Sequence, residues 1–65
     1  MIKVTRLDGK VYYINPHQIE YIEENPDTHL LMLSGKKLVV LEDYQTVYNE
    51  IVEYRRQIGG FKNEE

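Results

Sequence analysis

Few residues of this chain could act as nucleophiles or general bases. Ser34 is the one serine, cysteine is absent, and the histidines are His17 and His29. A Ser–His–acid triad needs its serine on a strained, exposed turn, usually within Gly-x-Ser-x-Gly. Ser34 instead precedes Gly35 in a pattern typical of a tight turn, where serine bonds to nearby backbone. We therefore predict no catalytic residues and a protein that is not an enzyme.

Metal-ligating and acid–base side chains also lack a known spacing. His17 and His29 could join nearby carboxylates in a weak metal site, but no ligand pattern is present and both are expected at the surface. Glu23 and Glu24 are neighbours on a predicted strand, so their side chains point to opposite faces and cannot flank one substrate. The expectation is a chain with no metal, no cofactor and no small-molecule substrate.

Tyrosine is the most unusual component of the sequence, with six copies in 65 residues. Three fall on predicted strands and three on a predicted helix: Tyr12, Tyr13, Tyr21, Tyr44, Tyr48 and Tyr54. In a small core, tyrosine buries its ring and keeps its hydroxyl in water. Tyrosine and arginine are also enriched where proteins bind one another. For Tyr12 both interpretations stay open.

Length and charge limit what the chain can be. Sixty-five residues, 42% of them hydrophobic, form one domain with a thin core and cannot frame a deep pocket alone. Without cysteine there is no disulfide or Cys–His zinc site, so self-association is the remaining way to stabilise so small a fold. The N-terminus has no signal-peptide pattern and no segment approaches ~20 apolar residues, which favours a cytoplasmic protein.

The sequence up to about Leu41 has the pattern of β-strands. Two strand patterns, residues 2–7 and 10–14, flank Asp8-Gly9, which is the signal of a hairpin with a two-residue type I′ turn. That turn sets Val4 opposite Tyr13. After the break at Asn15-Pro16, further strands are predicted at residues 19–24, 29–33 and 37–41, separated by turns at 25–28 and 34–36. In the first of these, Ile19 and Tyr21 share one face and Ile22 lies on the other.

A helix follows the strands. Asp43 (or Glu42) is the predicted N-cap, and apolar residues then recur at spacings of three and four: Tyr44, Val47, Tyr48, Ile51, Tyr54 and Ile58. Arg55 and Arg56 suit the last turn, and Gly59-Gly60 suits the stop, with Phe61 folding back on it. We predict an α+β fold, a five-stranded antiparallel β-meander (a curled sheet or open barrel) followed by one amphipathic helix. Residues 1–61 form the single domain and 62–65 a frayed tail.

The predicted first hairpin carries apolar groups on both faces, which one helix cannot cover. Leu7, Tyr12 and Ile14 share one face, and a second copy of the chain is the simplest cover for it. Arg6 shares the other face with Val4 and Val11, where a charge needs a partner such as a carboxylate of a second copy. The candidate interaction residues are Lys3, Arg6, Leu7, Tyr12, Ile14 and Glu20.

Nucleic-acid binding is the alternative. Aromatic strands could stack bases, with basic residues nearby at Lys3, Arg6, Lys10, Lys36 and Lys37. The opening Val4-Thr5-Arg6 is similar to the CsrA family of RNA regulators, and Ile19-Glu20-Tyr21-Ile22-Glu23 is similar to LytTR DNA-binding domains. A net charge of −3 opposes binding to a polyanion.

Short motifs follow one another in order along residues 1–58: Thr5-Arg6-Leu7-Asp8-Gly9, Tyr12-Tyr13-Ile14-Asn15, Ile19-Glu20-Tyr21-Ile22-Glu23, Pro26-Asp27-Thr28 and Gly35-Lys36. Together they resemble the small flagellar proteins of the FlbD or SwrD family. The Thr-Arg-Leu-Asp-Gly and Pro-Asp-Thr pieces in register are the most specific part.

This resemblance implies a bacterial cytoplasmic protein that promotes swarming by raising flagellar motor power, through contact that supports the stator. It implies a flagellar motor or stator protein as partner, a membrane contact only through that partner, and no catalytic residues. The chain ends sooner after its helix than longer members do, so no tail function is carried over.

Overall fold

A computed structural model of the chain describes residues 1–58. Its elements are, in order, β1 (Ile2–Thr5), β2 (Val11–Ile14), a 3-10 turn (Pro16–Gln18), β3 (Ile19–Glu24), β4 (Thr28–Met32), β5 (Lys37–Val40) and α1 (Tyr44–Gln57). The predicted α+β fold of five antiparallel strands and one C-terminal helix is confirmed. The predicted Gly59-Gly60 stop, the Phe61 contact and the tail at 62–65 lie outside the described residues.

The strands form two antiparallel sheets that curl around one core. β1 pairs with β2, and β4 lies between β3 and β5. A single bridge between Arg6 and Val40 connects the sheets, next to a 2.8 Å hydrogen bond from the Leu41 amide to the Thr5 carbonyl. Because β1 and β5 meet only there, the sheets curl without closing into a barrel.

The core consists of apolar side chains from the inner faces of both sheets and from the helix. Its buried members are Ile2, Val4, Ile14, Leu30, Leu38, Val40 and Val47. α1 contacts β1 and β3, so it packs across the gap between the two sheets. One thin core therefore holds the fold together, as expected for a chain of this length.

The register of the first hairpin differs from the prediction by one residue. Val4 faces Tyr12 and Thr5 faces Val11, across a three-residue loop in which Gly9 has φ +93°. The Asp8 carboxylate accepts a 2.9 Å bond from the Lys10 amide, so Asp-Gly closes a bulged loop rather than a two-residue turn. Because side chains alternate along a strand, this shift moves every side chain of β2 to the opposite face of the hairpin from the one predicted.

The second hairpin uses the same loop. Met32 donates to the Lys36 carbonyl at 2.8 Å, as Arg6 does to Lys10 at 2.8 Å. Gly35 also has φ +93°, which glycine adopts without a steric penalty. Ser34 lies in this loop, as predicted, and its hydroxyl accepts a 3.4 Å bond from the Lys36 amide.

A β-bulge changes the faces of β3. Ile19 pairs with Met32 and Tyr21 with Leu31, so Glu20 is an extra residue on this strand. Ile19 and Ile22 both pack against the core as a result, whereas Tyr21 is exposed. The prediction that Ile19 and Tyr21 share a face is therefore wrong.

The helix begins as predicted. The Asp43 side chain caps it by accepting a 2.9 Å bond from the Thr46 amide. Hydrogen bonds with the Thr46 side chain and amide lower the pKa of this carboxyl. Arg55 and Arg56 lie in the last turn. Tyr44 and Tyr48, counted in the predicted apolar stripe, are instead exposed and stack on each other with centroids 5.9 Å apart. No helix among the described residues is long and apolar enough to cross a membrane.

Candidate protein-interaction site

The register of the first hairpin places Tyr12 beside Arg6. The Arg6 Nη1 donates a 3.2 Å hydrogen bond to the Tyr12 hydroxyl, and the guanidinium carbon lies 5.4 Å from the ring centroid. Both the hydrogen bond and the electrostatic attraction of Tyr12 raise the pKa of Arg6 above its ordinary value. The partner that Arg6 was expected to need is therefore an aromatic side chain of its own hairpin. The pair presents a fixed positive charge and an aromatic edge to solvent.

An open cleft of about 280 Å³ adjoins this pair, where the first hairpin diverges from β5. We call it the hairpin cleft; it is lined by Arg6, Leu7, Asp8, Lys37 and Val39. Two positive side chains and one carboxylate give it a local charge opposite to the −3 of the whole chain.

The backbone of β5 also faces the hairpin cleft. Since Met32 and Lys36 are a hydrogen-bonded pair, alternation along the strand directs the amide and carbonyl groups of Lys37 and Val39 away from β4. These groups lie on the side of β5 from which the hairpin diverges. An extended peptide in the hairpin cleft would find positive charges and the outward backbone groups of Lys37 there, whereas Val39 flanks the bridge between Arg6 and Val40.

Glu42 holds the first hairpin against the second sheet. One carboxylate oxygen accepts from the Thr5 amide at 2.9 Å and the other from the Thr5 hydroxyl at 2.8 Å. Burial raises the pKa of Glu42, but the bonds from Thr5 outweigh it and the net pKa is lowered. We call this contact the Thr5–Glu42 clasp. Sequence patterns do not predict it, since nothing local links residues that far apart.

The remaining predicted residues are dispersed. Leu7 lies at the loop tip, 53% exposed, and lines the hairpin cleft with Arg6. Lys3 is exposed on the outer face of β1, and Glu20 occupies the bulge of β3 in the other sheet. Ile14 is only 9% exposed and belongs to the core, so the predicted apolar face of Leu7, Tyr12 and Ile14 is wrong. A role of the six residues in binding stays a prediction.

The two histidines lie in different elements. His17 packs edge-on against Tyr54, with ring centroids 5.6 Å apart. His29 is half-buried on β4, contrary to the surface position expected, and its Nδ1 has no hydrogen-bond partner in the part of the chain that is described. Within residues 1–58 no three histidine or carboxylate side chains lie close enough to hold a metal ion.

A second groove, of about 460 Å³, runs between Met1 and α1. Polar side chains of the helix line most of it: Thr46, Asn49, Glu50, Glu53 and Gln57, together with Tyr54. It is open to solvent and contains no nucleophile paired with a base. The first hairpin therefore carries the features typical of a binding surface, namely an exposed aromatic–arginine pair and an exposed leucine.

Comparison with known proteins places the chain in a family. Neither the curated proteins nor the solved structures contain a match to it. A family model described as "FlbD: Flagellar and Swarming motility proteins" matches residues 1–59. This span includes both hairpins and the whole of α1. The chain therefore belongs to the FlbD family of flagellar and swarming motility proteins.

Proposed function

We propose that this protein raises the power of the flagellar motor by a non-catalytic contact with a motor protein that supports the stator. The observation that carries the proposal is the family match over residues 1–59. The exposed first hairpin supports it, because it offers a surface for protein contact and no set of reacting groups. The proposed site of action is the cytoplasm.

The hairpin cleft is the proposed contact surface. Arg6 and Lys37 supply positive charge, and Leu7 supplies an exposed apolar side chain. A matching partner segment carries carboxylates and at least one apolar side chain, in an extended conformation that pairs with β5. The Thr5–Glu42 clasp keeps the two walls of the cleft in place.

Deleting the gene tests the motor assignment. We expect cells with normal numbers of flagellar filaments but reduced torque, measured on tethered or bead-loaded motors. Restoring the gene should restore the torque. Cells without filaments would contradict the proposal and favour control of flagellar gene expression, the nucleic-acid alternative, for which no described residue offers a specific observation.

Charge reversal tests the contact surface. Arg6→Glu and Lys37→Glu should each lower torque in complemented cells, because they reverse charges that line the hairpin cleft. Lys36→Glu is the matched control, since Lys36 neighbours Lys37 in sequence but does not line the cleft. Cellular levels of each variant should be equal by immunoblot. Equal loss of torque from Lys36→Glu would rule out the cleft as the specific contact.

A further inference from the structure

The outer edge of β2 is open. Arg6 donates to the Lys10 carbonyl, so alternation directs the backbone of Tyr12 and Ile14 toward β1. The amide and carbonyl groups of Val11 and Tyr13 consequently point away from β1. No strand among residues 1–58 pairs with that side of β2.

This edge lacks the features that normally prevent strands from pairing between molecules. From Val11 to Ile14 it has no charge and no proline, and its residues are β-branched or aromatic. Val11 is 46% exposed and Tyr13 is 65% exposed. Natural edge strands usually carry charges, prolines or bulges that discourage such contacts. An edge without them is available for pairing.

The edge of β3 shows the opposite composition. It carries Glu20, Glu23 and Glu24, and it is interrupted by a bulge. The Glu24 carboxylate also accepts a 3.0 Å bond from the Tyr44 amide, so the start of the helix approaches this edge. Pairing β3 with itself would set glutamates of the two copies against each other. Of the β2 and β3 edges, only that of β2 is therefore suited to a second copy.

We propose that two copies of the chain associate through antiparallel pairing of their β2 edges. The outward N–H and C=O groups all form hydrogen bonds when Val11 faces the partner's Tyr13. This register puts the two-fold axis at Tyr12. Each copy then contributes two N–H and two C=O groups, so four hydrogen bonds join the copies. The two two-stranded sheets become one sheet of four strands.

The side chains are self-complementary in this register. Val11 lies against the partner's Tyr13 twice, and pairs of an aromatic with a β-branched residue are favourable across strands. Lys10 faces the partner's Ile14, so no like charges are opposed. The two Tyr12 side chains lie beside each other, and Arg6 of each copy stays against the Tyr12 ring of its own chain. The surface is closed by two-fold symmetry and leads to a dimer rather than a filament.

Light scattering after size exclusion of the purified full chain tests the proposal. We expect a dimer that dissociates on dilution. Val11→Pro removes an outward N–H without removing a bond to β1, so the variant should stay folded by circular dichroism. Two hydrogen bonds are lost per dimer, and the dissociation constant should rise on the order of ten- to a hundredfold.

Glu23→Lys on the β3 edge is the matched control and should leave the dimer unchanged. Three results would overturn the proposal. They are a native chain that is monomeric at every concentration, a Val11→Pro variant that folds and dimerises as the native chain does, and a dimer that Glu23→Lys dissociates. The last result would indicate pairing of β2 with β3 instead.

A cysteine at the symmetry axis gives a second readout that does not depend on the proline variant. Directly opposed residues that are not hydrogen-bonded have Cα atoms about 4.5 Å apart, within the range that a disulfide spans. The chain has no cysteine of its own, so Tyr12→Cys should give a disulfide-linked dimer under mild oxidation. Tyr21→Cys, exposed on the other edge strand, should remain monomeric on non-reducing gels. Equal cross-linking of both variants, or none of Tyr12→Cys, would refute the register.

Discussion

The two β-hairpins of this protein have the same loop but different surroundings. Leu7–Gly9 closes the first and Leu33–Gly35 the second, each with a 2.8 Å bond across the loop and a glycine at φ +93°. In the second hairpin, β4 has neighbours on both sides, and Leu30 at its centre is 0% exposed. In the first, β2 pairs with β1 only, and Val11 and Tyr13 are exposed.

This difference shows which property each level of structure controls. The loop sets which residues of a hairpin face each other, because its glycine and bulge are local features. Whether a strand is buried depends on the presence of a third strand, which no loop supplies. The second hairpin accordingly contributes buried side chains to the core. The first hairpin has an open edge, the Arg6–Tyr12 pair and the hairpin cleft.

The largest effect on stability should come from a substitution in β4, the strand with a neighbour on both sides. Leu30→Ala removes the side chain at the centre of the three-stranded sheet, at an expected cost of about 2–5 kcal/mol. A domain of this size has a total stability of only a few kcal/mol, so the variant should be unfolded at 25 °C by circular dichroism. Leu33→Ala, at the exposed loop tip, is the control and should shift stability by less than about 0.5 kcal/mol. A folded Leu30→Ala variant would show that the core does not depend on β4.

The equivalence of the loops can be tested at their glycines. An added Cβ meets no atom within 4 Å at Gly9 or Gly35, so the cost of alanine is purely that of the backbone angle. Gly9→Ala and Gly35→Ala should each lower the free energy of unfolding by roughly 1–2 kcal/mol in urea titrations. Asparagine, which tolerates positive φ better, should cost less at both sites. Losses of unfolding free energy that differ clearly between Gly9 and Gly35 would show that the two loops are not equivalent.

The Thr5–Glu42 clasp is needed by the first hairpin only. Thr5→Val and Glu42→Gln should each lower the free energy of unfolding by about 0.5–1 kcal/mol at pH 7, because the carboxylate is largely solvated. Amide exchange should accelerate in β1 and β2 more than in β4. Uniform acceleration in both sheets would show that the clasp stabilises the whole fold rather than one hairpin.

The clasp also predicts the direction of a pH effect. The pKa of Glu42 is lower in the folded chain than its ordinary value, so its stabilising effect is complete above that ordinary value. The effect is lost as the pH falls through the folded pKa. Unfolding curves of the native chain and Glu42→Gln should therefore converge once the pH falls below that lowered pKa. A difference that persists in acid would mean that Glu42 acts through something other than its charge.

The smallest effect on stability should come from the leucines at the two loop tips. Leu7→Ser and Leu33→Ser should each change stability by less than about 0.5 kcal/mol, because both side chains are exposed. Only Leu7→Ser should lower motor torque, since only Leu7 lines the hairpin cleft. Loss of torque with both variants, or with neither, would remove the functional difference between the hairpins.

Much of the local structure was predictable. Asn15-Pro16 ends β2 and starts a 3-10 turn, with the Asn15 side chain accepting from the His17 amide at 3.0 Å. Asp43 caps the helix as expected. These features depend on neighbouring residues, so their signals are present in short windows of sequence. The family resemblance came from the same short motifs, and the match over residues 1–59 agrees with it.

The candidate site was predicted only in part, for two physical reasons. Asp8-Gly9 fits both a two-residue turn and a bulged three-residue loop, and the choice reverses every face of β2. The one-residue bulge at Glu20 has the same consequence in β3. Ile14 and Tyr21 were therefore assigned to the wrong faces, although the strands themselves were predicted.

The sequence by itself determined the α+β class, the strand and helix order, the turn glycines, the helix cap and the family, because these depend on neighbouring residues and on motif order. Only the tertiary structure decided that Arg6 meets Tyr12, that Glu42 binds Thr5 and that Ile14 belongs to the core. These contacts depend on register and on residues far apart in the chain. A shift of one residue costs little locally, and it is selected only when the two sheets and the helix bury their apolar faces together.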